Sequence, residues 1–378
     1  MYGATCRGEP TVPNAKITNR GRIHLGLDVA KNSIAVAILR PDEVEPDTEK
    51  IAHDEASIRR LIARFDHPRE LVACYEAGPP GYELHRLLTS IGVRTDVVAP
   101  SLIPKTPGDR VKTDRRDSRR LARLHRAGEL TAIRVPSIAE EAIRDLCRAR
   151  QVVVEDRRRA RQRLGSFLLR HNEIYREQTA WTQKHEEWIA HRHFTDQATK
   201  TAFAFYRAAV AERDVTLSSI TAELAPYFDR SPFADPVHRL AAYRGIDHLG
   251  ALTIVCEVCD FRRFAHAGAF MGFSGLVPSE YSTGESVSRG HITRAGNVHV
   301  RTQLVESAWA YQHAASRGVV LARRQEGLPP ETVERSWRAQ VRLCGRFRRL
   351  GQRKDSRNTV VTAIARELAG FVYAEMTD

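Results

Sequence analysis

Between residues 22 and 135 short apolar runs alternate with segments that have the spacing of an amphipathic helix. In chain order these segments are a strand at 22–28 (RIHLGLD), a strand at 33–39 (SIAVAIL), a helix near 55–65, a strand at 71–77 (LVACYEA), a helix at 82–92 (YELHRLLTSIG), a strand at 93–100 (VRTDVVAP) and a helix from about 113. The first two strands alternate with a period of two and predict a hairpin. The order of strands and helices indicates a layered α/β domain over 22–135.

The pattern changes after residue 136, where apolar residues recur every seven positions in two long stretches. These positions are Leu146, Val153, Ala160 and Phe167 in the first stretch, and Phe203, Val210, Leu217 and Leu224 in the second. This spacing is typical of helices that pair in a coiled coil, either antiparallel or between chains, so a coiled-coil insertion is predicted over 136–230. The Pro-rich break SPFADP (231–236) opens an α-rich domain over 231–378, and residues 1–21 are predicted to form a disordered polar tail.

Composition then narrows the class of protein. Hydrophobic residues make up 42% and charged residues 28% of the 378 positions, and no run of about 18 apolar residues occurs, so a globular protein without a membrane span is predicted. The net charge of +13, supplied mostly by arginine, favours a polyanionic partner, because arginine can grip phosphate oxygens bidentately. A solvated basic surface is the alternative. Six scattered cysteines form no disulfide framework and fit a reducing cytoplasm.

Four carboxylates occupy positions suited to metal-dependent chemistry. Asp28 ends the first predicted strand and Glu76 ends the strand that begins near residue 71, while Asp114 and Asp117 lie on one face of a predicted helix start. Acids gathered at one edge of a sheet repel each other unless divalent cations bind between them. Hard oxygen ligands suit Mg²⁺, and two such ions can act on one phosphodiester. As alternatives, Asp114 and Asp117 could only favour the helix dipole, and Glu76 could be an ordinary loop residue.

The sequence resembles the DEDD transposases of the insertion sequence 110 family over nearly its whole length after residue 22. The matching stretches are GLDVAK (26–31), EAGPPGYELHRLL (76–88), VVAPSLIPKTPGDRVKTDRRDSRRLARLHRAGEL (97–130) and GFSGLVPSEYSTGESVSRGHITRAGNVHVRTQLVESAW (272–309). The resemblance implies a RuvC-like domain of RNase H-like fold, a C-terminal transposase domain, and DNA as the substrate. It also implies that Asp28, Glu76, Asp114 and Asp117 are the family's four catalytic acids and bind Mg²⁺.

The family's second domain supplies a serine nucleophile in a Tyr-x-Ser-Gly context, thought to attack DNA beside the RuvC-like site of a partner subunit. This chain reads Tyr281-Ser282-Thr283-Gly284, so a threonine stands before the glycine. A threonine hydroxyl can act as a nucleophile, although its methyl group restricts the approach. Three alternatives stay open: Thr283 attacks, which is favoured; Ser282 attacks after a small shift; or strand joining is impaired. Both hydroxyls could also only cap a turn.

Arginines in several segments are candidates for nucleic-acid contacts. They are Arg157, Arg158 and Arg161 in the first heptad stretch, Arg289, Arg294 and Arg301 in 272–309, and Arg346 in the tail. YRGIDHLGALTIV (243–255) resembles a helix-hairpin-helix, which holds a phosphate at backbone N–H groups. Asp247 replaces its usual second glycine, so a purely structural hairpin is the alternative.

The resemblance also bears on partners. Members of the family are thought to use a structured guide RNA, for which the arginine-rich helix and tail would be natural binding places. Strand exchange needs several strands cut together, so a homodimer or homotetramer is expected, in the bacterial cytoplasm and at the nucleoid when bound to DNA.

Three functions are compatible with these features. The predicted one is a DNA transposase or recombinase of an insertion sequence, which cuts and exchanges strands with an acidic Mg²⁺ site and a Ser or Thr hydroxyl. A structure-selective nuclease of the RuvC type would use the same carboxylates but activate water, with no protein–DNA adduct. A non-catalytic relic of a transposon would bind nucleic acid without Mg²⁺-dependent cutting.

Overall fold

The computed structural model describes residues 21–104, 113–177, 179–283, 286–353 and 356–378. The predicted tail lies almost wholly outside the described residues, as do the centre of the 97–130 motif and Gly284. The chain divides into two compact units, Met1–Val135 and Pro136–Asp378, each with its own hydrophobic core. Among the described residues, no helix combines the length and apolarity needed to cross a bilayer.

The first unit is built on a five-stranded sheet with strand order β3-β2-β1-β4-β5. Its strands are β1 (Ile23–Val29), β2 (Ser33–Leu39), β3 (Asp47–Ala52), β4 (Leu71–Glu76) and β5 (Arg94–Val98). β1 pairs antiparallel with β2, as the alternation predicted, and parallel with β4, which is also parallel to β5. The edge strand β3 was not predicted, because its sequence DTEKIA is polar and none of its residues is fully buried.

Three helices complete the first unit, and each begins where the sequence pattern placed it to within a few residues. They are α1 (Glu55–Ile62), α2 (Glu83–Ser90) and α3 (Asp114–Ala127). The Thr113 side chain accepts a hydrogen bond from the backbone N–H of Arg116 and so caps α3. The helix ends at Gly128, whose φ of 73° is in the left-handed region that glycine tolerates.

The second unit is helical apart from one two-stranded hairpin. Its helices are α4 (Ile138–Arg170), α5 (Gln183–Ala190), α6 (Gln197–Leu224), α7 (Ala234–Ala241), α8 (His248–Val258), α9 (Ala267–Phe273), α10 (Val298–Ala308), α11 (Val319–Arg324), α12 (Pro330–Gly351) and α13 (Arg357–Thr377). The hairpin consists of β6 (Pro278–Thr283) and β7 (Ser286–Ile292), within the region that the sequence predicted to be α-rich.

We call α4, α5 and α6 (residues 138–224) the helical arm. A capping box, in which Ser137 and Glu140 exchange side chain–backbone hydrogen bonds, starts α4. α4 and α6 pack along each other, and six of the eight heptad side chains are buried. Those six are Ala160, Phe167, Phe203, Val210, Leu217 and Leu224. The seven-residue spacing therefore marks the packed face of both helices.

Candidate active site

Two of the four acids are placed by the register between β1 and β4. Leu27 of β1 pairs with Tyr75 of β4 in a parallel arrangement. Asp28 and Glu76 are the next residue of each strand, so they are neighbours at the carboxyl end of the sheet, on strands about 4.8 Å apart. Directly paired residues also have side chains on the same face, so the two carboxylates share one side of this edge.

The packing at Gly26 identifies this side of the sheet as the one covered by α3. A Cβ at this position would lie 2.2 Å from the Ser118 carbonyl oxygen and 2.5 Å from the Ala122 backbone nitrogen, so α3 rests directly on the β1 backbone. Asp28 is two residues from Gly26 and belongs to the same face. On β4, the Cys74 thiol donates to the Leu121 carbonyl at 3.5 Å, which places Cys74, and with it Glu76, on the α3 side as well.

The direction of α3 brings its first turn to the same edge. His125, near the end of α3, contacts His24 near the start of β1, whereas Ser118 and Ala122 contact Gly26. The helix therefore runs antiparallel to β1. Asp114 and Asp117, in the first turn, come to the end of the strand where Asp28 lies.

The acids at this edge differ in their exposure and in their charged neighbours. Asp28 is half-buried and Glu76 is exposed, while Asp114 lies 3.6 Å from the Lys50 ammonium on β3. Within the described ranges, no group of three or more His, Cys, Asp or Glu side chains lies close enough together to hold a metal ion. The structure thus brings the four acids to one edge and one face, without placing three of their carboxylates in a single coordination shell.

A buried polar chain under α3 was missed by sequence reasoning. Nδ1 of His24 lies 3.3 Å from Nδ1 of His125, and Nε2 of His125 lies 3.0 Å from an Asp96 carboxylate oxygen. Burial would raise the pKa of Asp96, but the hydrogen bond and charge of His125, with the nearby Arg94, outweigh it, so the pKa is lowered. This chain ties β1, α3 and β5 together. No local sequence pattern marked these three residues as partners.

The second unit carries the predicted hydroxyls on its hairpin. Ser282 pairs with Val287 and Thr283 with Ser286, so both candidates lie at the end of β6 just before the turn. The exposed Ser282 hydroxyl donates to a Glu280 carboxylate oxygen at 2.9 Å. Gly284 lies outside the described residues. A hydroxyl that donates to a carboxylate is oriented, and its proton has an acceptor.

Backbone contacts hold the loop that follows the hairpin. The Arg301 guanidinium donates to the Ser274 carbonyl at 3.1 Å and to the Arg294 carbonyl at 3.2 Å. A Cβ at Gly296, which has a φ of 89°, would lie 2.1 Å from the Phe273 carbonyl oxygen. In this structure Arg301 thus holds the two ends of the hairpin segment together.

A buried carboxylate behind this loop also escaped sequence reasoning. The side chain of Glu257 on α8 is 1% exposed, and it accepts hydrogen bonds from Arg148 of α4 at 2.6 and 2.8 Å and from the Asn297 amide at 2.7 Å. Asn297 in turn caps α10 by accepting from the Val300 N–H. Burial raises the pKa of Glu257, but these donors outweigh burial and lower it. One carboxylate therefore joins α4, α8 and α10.

In the segment that resembles a helix-hairpin-helix, an acidic side chain occupies the N-terminus of the second helix. A side-chain oxygen of Asp247 accepts from the Gly250 N–H at 2.7 Å and so caps α8. This carboxylate stands where a phosphate would bind to the helix N-terminus. The structure thus favours the structural alternative for 243–255.

The predicted phosphate-binding arginines differ in their surroundings. Arg157 and Arg161 share Asp214, each at 3.4 Å, and Arg158 pairs with Glu155 on its own helix. Arg346 pairs with Glu367, which Arg342 also contacts. Arg294 is exposed, and Arg289 lies in β7, opposite Glu280.

Comparison with known proteins assigns the family. Residues 25–173 match a family model for the DEDD transposases of IS110, and residues 237–319 match the model described as transposase IS116/IS110/IS902 family. The protein y4qE of Sinorhizobium fredii, whose name describes a transposase, is 45% identical over 93% of this chain and 87% of its own length. The chain belongs to the IS116/IS110/IS902 transposase family.

Another relative agrees with this assignment. The transposase for insertion sequence element IS1533 of Leptospira borgpetersenii is 30% identical to this transposase over 87% of this chain and 96% of its own length. The first family match includes all four acids and the second includes the hairpin. This transposase is therefore an enzyme that acts on DNA, and its DEDD domain implies an RNase H-like fold and a divalent metal.

Proposed function

We propose that this transposase cuts and joins the DNA strands of an insertion sequence at a Mg²⁺ site made by Asp28, Glu76, Asp114 and Asp117. The main support for the proposal is that all four acids lie at a common edge of the sheet. The β1–β4 register and the close contact at Gly26 bring them to one end and one face. The RuvC-like detail of this domain is part of the same proposal.

The donor set fits the ion. Four carboxylates offer only hard oxygen ligands, the kind that Mg²⁺ prefers, on a basic protein that attracts phosphate. When bound, Mg²⁺ would polarise the scissile phosphodiester and stabilise its leaving oxygen. Asp28 and Glu76 would give fixed positions, because they sit on hydrogen-bonded strands. Asp114 would have to exchange the exposed Lys50 ammonium for the metal.

A hairpin hydroxyl would be the attacking group. Resemblance to the family's Tyr-x-Ser-Gly context assigns the role to Thr283, which holds the position before Gly284. The hydrogen bond from Ser282 to Glu280 favours the neighbouring hydroxyl instead, because the carboxylate can accept its proton on attack. In either case a transient phosphodiester forms between the protein and the DNA, and the leaving strand carries the released oxygen.

Domain bounds, oligomeric state and nucleic-acid partners are part of the same proposal. We place a RuvC-like domain at 22–135, a coiled-coil insertion at 136–230 and a transposase domain at 231–378. The arm would pair copies into a homodimer or homotetramer, which the exposure of Phe205 (74%) and Val215 (70%) on α6 supports. The arginines of the arm, the hairpin segment and the tail would hold DNA phosphates and a structured guide RNA, in a bacterial cytoplasm.

The test is Mg²⁺-dependent cleavage of a DNA substrate that carries the ends of the element. Glu76→Gln should abolish cleavage, whereas Glu70→Gln, the same change at the exposed residue preceding the other end of β4, should leave it intact. Equal activity of both variants would contradict the acidic site.

The nucleophile is tested on a nicked substrate by denaturing gels that retain a covalent protein–DNA complex. Loss of the complex in Thr283→Ala or in Ser282→Ala identifies the attacking residue. Cleavage without any complex, unchanged in the double variant, would instead show a nuclease that activates water. Binding without cleavage in the parent protein would show a non-catalytic relic.

A further inference from the structure

The helical arm contains a cavity of about 670 Å³ that has no place in the proposed cleavage reaction. It lies between the outer half of α4, the connection that follows α4, and α5. Four of its lining residues carry aromatic rings: Tyr175, Trp181, His185 and Trp188. Its size falls in the range typical of small-molecule sites.

The four rings form one cluster around His185. The Trp188 ring is nearly parallel to the imidazole, at 10° with centroids 5.7 Å apart, and the Tyr175 ring lies 4.7 Å away. The Trp181 ring meets the imidazole edge-on, at 85°. The guanidiniums of Arg161 and Arg192 lie 4.6 Å from the centres of the Trp181 and Trp188 rings, so a planar ring would stack on this cluster by replacing one of them.

The imidazole of His185 also has a defined hydrogen bond. Nδ1 of His185 accepts the Trp181 backbone N–H at 2.9 Å. Burial lowers the pKa of His185, the charge of Glu186 opposes this shift and Arg161 adds to it, so the net lowering favours the neutral ring that Nδ1 needs in order to accept. A neutral imidazole whose Nδ1 accepts carries its proton on Nε2. His185 therefore offers a hydrogen-bond donor beside the aromatic cluster.

Two further polar atoms at the cavity have no hydrogen-bond partner within the part of the chain that the structure describes. They are the Tyr175 hydroxyl and Nε of Arg161, both sealed from solvent. A buried donor without a partner is costly, and native structures rarely leave one without a reason. A ligand with acceptor atoms would satisfy them after a small side-chain rotation.

Cations lie along the α4 wall of the cavity. Arg157, Arg158 and Arg161 all line it, and the Arg161 guanidinium also sits 4.6 Å from the centre of the Trp181 ring. Arg157 and Arg161 share Asp214, Arg161 also lies 3.8 Å from Glu186, and Arg158 is 59% exposed. Partly exposed ion pairs of this type are weak, and a phosphate can replace them with bidentate contacts.

We propose that this cavity receives an unpaired nucleobase of a bound nucleic-acid strand. The base stacks on the aromatic cluster, hydrogen bonds to the His185 and Tyr175 donors, and leaves its phosphate to the α4 arginines. Stacking on aromatic side chains beside cations is the usual way in which proteins hold single strands without reading their sequence. The inference needs the protein to bind nucleic acid but not to cut it.

The test compares two strands that differ only in their bases. Binding of a fluorescent ten-nucleotide oligothymidylate and of its abasic counterpart to the full-length protein is measured by anisotropy, without metal. Both strands present the same phosphates, so a difference in affinity comes from contacts to the bases. We expect the abasic strand to bind on the order of tenfold more weakly. Equal affinities would overturn the proposal. The same comparison, repeated with an RNA strand and its abasic counterpart, shows whether DNA or RNA is the preferred source of the base.

Variants then assign the difference to the cavity. Trp181→Ala and Trp188→Ala should bring the two strands to nearly equal affinity, and the milder Trp188→Phe should keep part of the difference. Trp337→Ala, which removes a partly exposed tryptophan of α12 outside the arm, should leave the difference unchanged. Thermal unfolding checks that each variant is folded. If the arm variants keep the parent difference but change the oligomeric state, the cavity instead receives a side chain of a second copy, and the proposal fails.

Discussion

At Gly26 the absence of a side chain sets the distance between a helix and a sheet. Only a hydrogen atom fits between the β1 backbone and the α3 backbone at Ser118 and Ala122. The first turn of α3 carries Asp114 and Asp117, so the position of these acids depends on that contact. The glycine is visible in the sequence motif, but its partner is not, because the two lie nearly a hundred residues apart.

We expect Gly26→Ala to destabilise the protein by about 1–3 kcal/mol, as overpacked sites do, and to reduce cleavage more than binding. The new methyl group would push the start of α3 away from Asp28. Gly345→Ala on α12 is the control, because a Cβ there meets nothing within 4 Å. It should stabilise by up to about 1 kcal/mol, since alanine suits a helix interior better. Thermal unfolding and cleavage assays measure both; a Gly26→Ala protein as stable and active as its parent would contradict the packing argument.

At the scale of elements, two buried carboxylates act as junctions. Glu257 joins α4, α8 and α10, and Glu375 joins α7, α12 and α13. Glu375 is fully buried, and it accepts hydrogen bonds from Arg239, Tyr243, Thr332 and Arg335. Each carboxylate is satisfied by donors from distant segments, which is the condition under which a buried charge is tolerated.

Replacing Glu375 by alanine should cost about 3–5 kcal/mol, the range for breaking a buried ion pair from one side. Arg239 and Arg335 would be left with their guanidiniums partly buried and without this carboxylate. Chemical denaturation gives the free energy of unfolding. Glu334→Ala is a matched control, because Glu334 on α12 forms an exposed pair with Arg338 and its loss should cost less than about 1 kcal/mol. Similar losses for both variants would show that Glu375 is not a junction.

Acid should weaken the Glu257 junction. Its folded pKa lies below its ordinary value of 4.5, so the folded protein releases this proton more readily than the unfolded chain. The stabilisation is complete above the unfolded pKa and is lost as the pH falls through the folded pKa. Glu257→Gln should therefore be less stable than the parent at pH 7, with the gap narrowing as the pH falls below about 4.5. A gap that stays constant down to pH 3 would show that the charge of Glu257 contributes nothing.

The elements predicted from sequence are those whose apolar pattern decides their packing. β1, β2, β4 and β5 bury runs such as SIAVAIL, and the heptads located the packed faces of α4 and α6. β3 and the β6–β7 hairpin were missed because their sequences are mostly polar and contain no apolar run. The four acids were identified from strand ends and resemblance. Glu257, Asp96 and the arm cavity were not, because their partners are distant in the chain and no local pattern marks them.

At the scale of the whole molecule, the charge of +13 overstates the cations that are free to meet DNA. Several arginines hold the protein together instead: Arg148 binds Glu257, while Arg239 and Arg335 bind Glu375. The exposed arginines of the hairpin segment and the tail are better placed for phosphates. Charge in the sequence therefore identified the kind of partner but not the residues that contact it.

DNA binding should fall steeply with salt, because each neutralised phosphate releases counterions. With six or more phosphate contacts, we expect a loss of about a thousandfold in affinity between 50 and 200 mM salt. Arg294→Ala, which removes an exposed guanidinium of the hairpin segment, should reduce the slope of log affinity against log salt by about one. Arg335→Lys keeps the charge at Glu375 and should leave that slope unchanged. A salt-independent affinity would contradict binding through the basic surface.

The pair between Arg148 and Glu257 also limits how the arm can move. Arg148 lies near the base of α4, and its partner is buried in the body of the second unit. Swinging the arm as a rigid lever from this point would strand a carboxylate in an apolar interior, at a cost of several kcal/mol. A strand captured by the outer arm would thus be held on a lever with a fixed root.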